Sequence, residues 1–316
     1  MGIAENKEAI LRYFYEIVNK RDQTAARQLF SPQFIDYRSR AGLPADPLEL
    51  HHHIPATGTI FPDVHDDIEA IAVTDDKVAI RVLGTGTHSQ ELFGVPATGK
   101  FLTWTATMVW QFSANYITAR WLAFDYLSQM IQLGVIPPLK HVVIPQASTG
   151  TLPLLNGQGQ PLASSSEPEQ LQPLLQYIAA LKTGKLTPLN EVIASDYTDH
   201  GGWIDGLPTG PDALKQEVSI LREAFPDLEI TPQHMFAAGE YAVLHMLGTG
   251  THQGEFFGLP ATHKRATWMT VGIYRLENGK LKERWIDASR LPLLRQLEVI
   301  PPLPFEPLAP LRFLPE

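Results

Sequence analysis

The sequence contains no cysteine, which excludes disulfides, thiolate nucleophiles and cysteine-held metals. Basic residues are in deficit: 25 Lys and Arg stand against 34 Asp and Glu, for a net charge of −9. No Lys/Arg cluster is present to follow a phosphate backbone, so neither nucleic acid nor an anionic membrane surface is expected as a partner. Long apolar runs are also missing; nothing approaches the roughly 18 residues of a membrane-spanning helix. The segment Met1 to Ile10 carries Glu5, Lys7 and Glu8 and does not read as a secretion signal. A cytoplasmic location is the default expectation. What remains is ordinary for globular domains: 44% hydrophobic and 19% charged residues over 316 positions, enough for two domains with a core each.

Self-comparison supplies the strongest signal. Gly84-Thr85-Gly86-Thr87-His88 recurs as Gly248-Thr249-Gly250-Thr251-His252, 164 residues later. At the same offset Phe61-Pro62-Asp63 matches Phe225-Pro226-Asp227, and Phe93-Gly94 matches Phe257-Gly258. Trp104 and Trp121 match Trp268 and Trp285, and Gln132-Leu133 matches Gln296-Leu297. The chain is therefore a tandem duplication, with copy one over residues 1–138 and copy two over 169–302. Between them lies a Gly/Ser-rich stretch, 139–168, expected to be a loose linker, and a Pro-rich tail follows over 303–316.

Within copy one, Ala9, Ile10, Tyr13, Phe14, Ile17 and Val18 keep helical spacing. A short helix is expected over Gln23 to Phe30, a third near Asp46 and the triple His, and a last one over Asp125 to Leu133. Val78–Val82, Leu102–Phe112 and Ile117–Phe124 alternate as strands. Helices followed by an antiparallel meander define an α+β class. Strand alternation puts Trp104, Ala106, Met108 and Trp110 on one face, and Ala119, Trp121, Ala123 and Asp125 on one face of the next strand. Both rows are expected to line one apolar hollow with Asp125 at its mouth. The matching row of copy two carries Glu283, Trp285, Asp287 and Ser289.

These residues resemble the SnoaL-like polyketide cyclase family, of the nuclear transport factor 2-like (cystatin-like) superfamily. The match rests on the Gly-Thr-His segment with Phe-Gly-x-Pro-Ala-Thr, on Trp-x-x-x-Asp followed by Gln-Leu-Gly (Trp121, Asp125, Gln132 to Gly134), and on Phe-Pro-Asp. The resemblance implies two cone-shaped domains, each with helices on a curved antiparallel sheet, pairing sheet to sheet within one chain. It implies aldol ring closure by a carboxylate acting as acid and base, without cofactor, and assigns that role to Asp125. Copy two has Ser289 there, with Asp287 two residues earlier, and has Asp199-His200 where copy one has Asp36-Tyr37.

Each candidate has a plainer reading beside the chemical one. Asp125 is either a desolvated proton shuttle or the N-cap of the last helix. His88 and His252 either assist at a pocket or hold a turn. Trp104, Trp121, Trp268 and Trp285, with Met108, Tyr37, His200 and Asp287, either line a pocket for a small apolar carbonyl compound or are core. The triple His51-His52-His53 does not converge as a metal set, since adjacent helical residues point about 100° apart. Gly-x-Gly at Gly84 and Gly86 precedes strand and not helix, so a dinucleotide site is rejected and a bend or bulge expected. Neither cofactor nor metal is expected. The function expected is a cyclase-type enzyme acting by proton transfer. The alternatives are a non-catalytic binding or scaffold protein, and a hydrolase or isomerase, which would need a second acid that copy one does not offer.

Overall fold

The computed structural model describes residues 2–20, 22, 28–38, 58–147, 168–201 and 203–300. Copy one begins with helix α1 (Ile3–Arg12), which runs into a π-helical stretch over Tyr13–Val18. Five strands follow: β1 (Phe30–Arg38), β2 (His65–Val73), β3 (Lys77–Thr87), β4 (Phe101–Ser113) and β5 (Tyr116–Phe124). Helix α2 (Tyr126–Leu133) closes the copy. Copy two has α3 (Gln172–Thr183), α4 (Leu189–Val192), β6 (Ile193–Asp199), α5 (Pro211–Ala224), β7 (Glu229–Ala238), β8 (Tyr241–Thr251), β9 (Arg265–Glu277), β10 (Lys280–Ala288) and α6 (Arg290–Gln296). The sheet orders are β1-β5-β4-β3-β2 and β6-β10-β9-β8-β7. This is an α+β, nuclear transport factor 2-like tandem fold. The meander is antiparallel, but β1 and β6 add at the edge in parallel, an element not foreseen. Phe30, expected at the end of a helix, begins β1. The third expected helix, the triple His and the tail beyond Ile300 lie outside the described residues.

The repeated motifs are architectural. Both oxygens of Asp63 accept from Thr87, backbone N and Oγ1, each at 2.6 Å; Asp227 does the same for Thr251 at 2.6 and 2.7 Å. Gln132 pairs with the backbone of Thr103, and Gln296 with that of Thr267. Phe93-Gly94 and Phe257-Gly258 take positive φ in tight turns that close Leu92 onto Val95 and Phe256 onto Leu259. No bulge interrupts the pairing of β3 with β4 at Gly84, so the expected bulge is not found there. The glycine instead makes room for an indole: a Cβ there would lie 2.0 Å from Trp104 Nε1, and one at Gly248 would lie 2.5 Å from Trp268 Cε2. Gly84→Ala is therefore expected to overpack the strand and destabilise by about 1–3 kcal/mol, read by urea unfolding; an unchanged midpoint would show that the indole moves freely.

One face of the first sheet packs on α1 and the turn after it through Ile10, Tyr13, Phe14, Ile17, Ile68, Ile80, Met108, Trp110 and Leu122. The other face meets the second sheet. Ala70, Ala72, Ala79, Val109 and Ala123 pack against Phe236, Ala238, Tyr241, Val243, Val271 and Ile273. Small side chains on one side and large ones on the other let the sheets stack closely. Residues 139–147, expected to begin a loose linker, instead form an ordered strap: Val143 N donates to Asp205 Oδ2 at 2.7 Å, and Pro145 O accepts from Thr103 Oγ1 at 2.5 Å. The remainder, 148–167, is outside the described residues.

Candidate functional site

Register decides which side chains share a face. In the β4–β5 pair Trp110 opposes Arg120, Met108 opposes Leu122 and Ala106 opposes Phe124, while Val109 opposes Trp121 and Thr107 opposes Ala123. Directly opposed residues point the same way. Trp104 and Met108 therefore face the helices, and Trp121 and Asp125 belong to the face turned toward the other copy. This corrects the expectation of a single hollow. Trp121 stacks on Tyr37 at 5.1 Å, and Trp285 stacks on His200 at 4.6 Å, both at the sheet-to-sheet junction. His88 and His252 are buried and hold the loop after them through Thr98 (3.0 Å) and Thr262 (3.2 Å); they line no pocket between the copies. Burial lowers both imidazoles. In copy two, Trp268 is covered by Trp203, stacked at 5.7 Å, and by Phe225 at 4.9 Å, so that side chains occupy the space over it.

In copy one Trp104 is equally buried, with Phe61 at 4.8 Å, and the difference lies in the strand beside it, where Asp66 stands in place of Ile230. Asp66 on β2 pairs with Gly84, which pairs with Trp104, so the three form a row across the helix-facing side of the sheet. Above Gly84 the Asp66 carboxylate meets the indole; a Cβ on the glycine would be 2.6 Å from Asp66 Oδ1. Asn19, just past the first helix, fixes the strand here by accepting from Asp66 N at 2.8 Å and donating to Asp66 O at 3.1 Å. The residue is only partly buried, yet Oδ1 is shut off from solvent and has no hydrogen-bond partner among the described residues. Desolvation pushes the carboxyl up to about 7, with Asp67 adding to the rise and His65 opposing it.

Asp125 is at once a helix cap and half of an ion pair between the copies. Its Oδ1 accepts from Ser128 N at 3.2 Å and from Arg290 Nη2 at 2.9 Å. It is 2% exposed, and its Oδ2 has no hydrogen-bond partner among the described residues. Asp287, nominated as a substitute within copy two, instead reaches across to copy one. It accepts from Thr105 Oγ1 (2.5 Å), Thr107 Oγ1 (2.6 Å) and Arg81 Nε (3.3 Å). Arg81 also pairs with Glu69. Burial pushes Asp287 and Glu69 up from the ordinary carboxylate values, and Arg81 holds both rises back. These residues surround a cavity of about 230 Å³ between the copies, together with His200, Asp205 and the strap residues Val143 to Gln146. The second acid that copy one does not offer is thus supplied by copy two. The cavity is polar where an apolar one was expected, and below the roughly 300–1,000 Å³ usual for ligand pockets. Among the described residues no group of three or more His, Asp or Glu could hold a metal ion.

A family model described as SnoaL-like polyketide cyclase matches residues 8–133 and again 172–297. The chain belongs to this family. Among its relatives is nogalonic acid methyl ester cyclase of Streptomyces nogalater, 28% identical over 123 residues, which are 38% of this chain and 90% of the relative. Among solved structures, IdmH of Streptomyces antibioticus is 28% identical over 41% of this chain and 98% of its own, with a TM-score of 0.37. TsrD of Streptomyces laurentii is 21% identical over 43% and 99%, with a TM-score of 0.40.

In this SnoaL-like chain the groups with chemical potential are those the duplication has not kept. At the 164-residue offset Asp66 faces Ile230, Arg81 faces His245, Thr105 faces Met269 and Asp125 faces Ser289. In the reverse direction Asp287 faces Ala123 and Arg290 faces Tyr126. The sheet-to-sheet junction is consequently charged at one pole. At the other pole it holds His234 and His245, whose Nδ1 atoms are 3.0 Å apart, with His234 tilted on Trp121 at 4.1 Å. Asp66 was overlooked in the sequence, although an acid matched to an isoleucine was a legible signal. Arg290 was overlooked because a residue matched to tyrosine across the repeat gives no hint of its distant partner.

Proposed function

We propose that this SnoaL-like protein is a cyclase-type enzyme working by proton transfer on a small carbonyl compound, with Asp66 of copy one as acid and base. The observation that carries the reading is a shielded carboxylate oxygen without a partner among the described residues, set against the Trp104 indole over Gly84. A carboxyl near neutrality can both take and return a proton, which suits general acid–base work. Asp66 removes a proton from the carbon α to a carbonyl. The enolate attacks a second carbonyl of the same molecule, closing a carbon–carbon bond, and the new alkoxide takes the proton back from Asp66. The relative from Streptomyces nogalater, a nogalonic acid methyl ester cyclase, supports ring closure as the reaction class.

The test is exchange of the α-protons of a β-keto ester with heavy water, followed by NMR. The wild type is expected to accelerate exchange with an apparent pKa near 7, and Asp66→Asn to lose about 100-fold or more. Stability separates chemistry from folding. The folded-state pKa is raised from 3.8 to about 7, so this group's stabilising contribution is complete below 3.8 and is lost as pH rises through 7. Asn at this position should therefore melt no lower than wild type at pH 8. An exchange rate equal to wild type in Asp66→Asn would overturn the assignment. Loss in Asp125→Asn instead would move the base to Asp125, the residue to which the family resemblance assigns the role and whose Oδ2 lacks a partner among the described residues.

A further inference from the structure

We propose that the cavity between the two copies is a second site, which binds a small organic ammonium compound carrying a hydrogen-bond acceptor beside its amine. The cavity is built once, by both copies: Asp125 comes from copy one, while Asp287 and Arg290 come from copy two. Charge is not required to close the junction, because the opposite pole takes His245, Met269 and Ala123 at the positions matching Arg81, Thr105 and Asp287. Two of its groups are left incomplete. Among the described residues Asp125 Oδ2 is a buried acceptor without a donor, and Arg290 Nη1 is buried without a hydrogen bond, its only contact an ion pair with Asp205 at 3.6 Å. Arg290 is 5% exposed and Asp125 2%. Buried groups left unmet are costly, more so when charged, so a ligand offering one donor and one acceptor gains from both.

The sign of the charge selects the donor. Glu69, Asp125, Asp205 and Asp287 contribute four carboxylates to the wall, against the two guanidiniums of Arg81 and Arg290. His200, the remaining ionisable group of the lining, is taken up by Glu283 at 2.5 Å. The excess is negative, and Coulomb attraction in a partly dry cavity favours a cation. An ammonium donates to Asp125 Oδ2 while its neighbouring carbonyl or hydroxyl accepts from Arg290 Nη1. A volume of about 230 Å³ limits the occupant to on the order of ten heavy atoms.

Thermal unfolding of the full chain with glycinamide, ethanolamine and glycolamide tests this. Glycinamide and ethanolamine at about 10 mM should raise Tm by about 2–4 °C, the shift expected for a sub-millimolar to millimolar ligand. Glycolamide, which replaces the ammonium by a hydroxyl, should not. Asp125→Asn should abolish the shift, and because Asn also caps helices the variant should fold; isothermal titration with glycinamide reads binding directly if it melts too early. Asp66→Asn should respond as wild type, which keeps this outcome separate from that of the catalytic assignment. No shift with either amine, an equal shift with glycolamide, or an undiminished shift in Asp125→Asn would overturn the proposal.

Discussion

Replacing Arg284 with methionine is expected to cost about 3–5 kcal/mol of stability, the price of breaking a buried ion pair from one side. Arg284 is fully buried in copy two. Its Nη1 and Nη2 donate to the two oxygens of Glu217 at 3.0 and 2.6 Å, and its Nε donates to Asp199 Oδ2 at 3.1 Å. Tyr177 joins by donating to Glu217 Oε1 at 2.5 Å. One guanidinium therefore serves two carboxylates, and Glu217 has no exposure through which to recover water. Burial raises the Asp199 carboxyl, with Arg284 as the main opposing influence. Lysine would not rescue the site, because a point charge cannot make the bidentate contact and the Asp199 contact together. Copy one has the lighter version: Arg120 donates to Asp36 Oδ1 at 3.1 Å and to Tyr13 at 3.3 Å, and lies over Trp110 at 4.9 Å. Urea unfolding of Arg284→Met measures the difference. A loss below about 1 kcal/mol would show that water enters and screens the two acids.

The duplication and the α+β class were legible because period and alternation are local properties of the chain. Val78–Val82, Leu102–Phe112 and Ile117–Phe124 fall within the observed β3, β4 and β5, and the final helix starts one residue after Asp125. The edge strand β1 was not legible, since Phe30–Arg38 has Pro32 within it and pairs in parallel with a strand about 80 residues away. The candidate site failed at one definable step. Alternation fixes which residues share a face within a strand, but not which face of one strand joins which face of the next. The register shift between Gln111 and Phe112 lies just where that relation is set, and Trp121 consequently opposes Val109 and not Met108. A one-residue slip exchanges the whole row. The repeated motifs drew attention because they were repeated, and they proved to be turns, caps and strand ties. The carboxylate under an indole was present after all, at Asp66, where the two copies disagree.

The two poles of the junction should also answer differently to acid. Protein stability is expected to fall on the order of 3 kcal/mol between pH 6.5 and 4 through His245 alone. His245 is 2% exposed, and burial with the neighbouring His234 pushes it down to about 3. His234 is pushed down to about 4, by burial first and Lys77 second, with Asp76 opposing. An Nδ1–Nδ1 contact of 3.0 Å needs one ring to donate and the other to accept, so a doubly protonated pair cannot keep it. The sign follows from linkage. Both folded pKa values lie below 6.5, so unfolded chains bind more protons once pH drops below 6.5, and stability drains until the folded values are passed. Asp66 acts in the opposite sense, weakening the fold as pH rises from 3.8 to about 7. The histidine contribution is isolated by subtraction. The double variant His234→Ala, His245→Leu should hold its urea midpoint between pH 6.5 and 4 better than wild type, whereas parallel pH profiles would mean that the rings are solvated and free to charge.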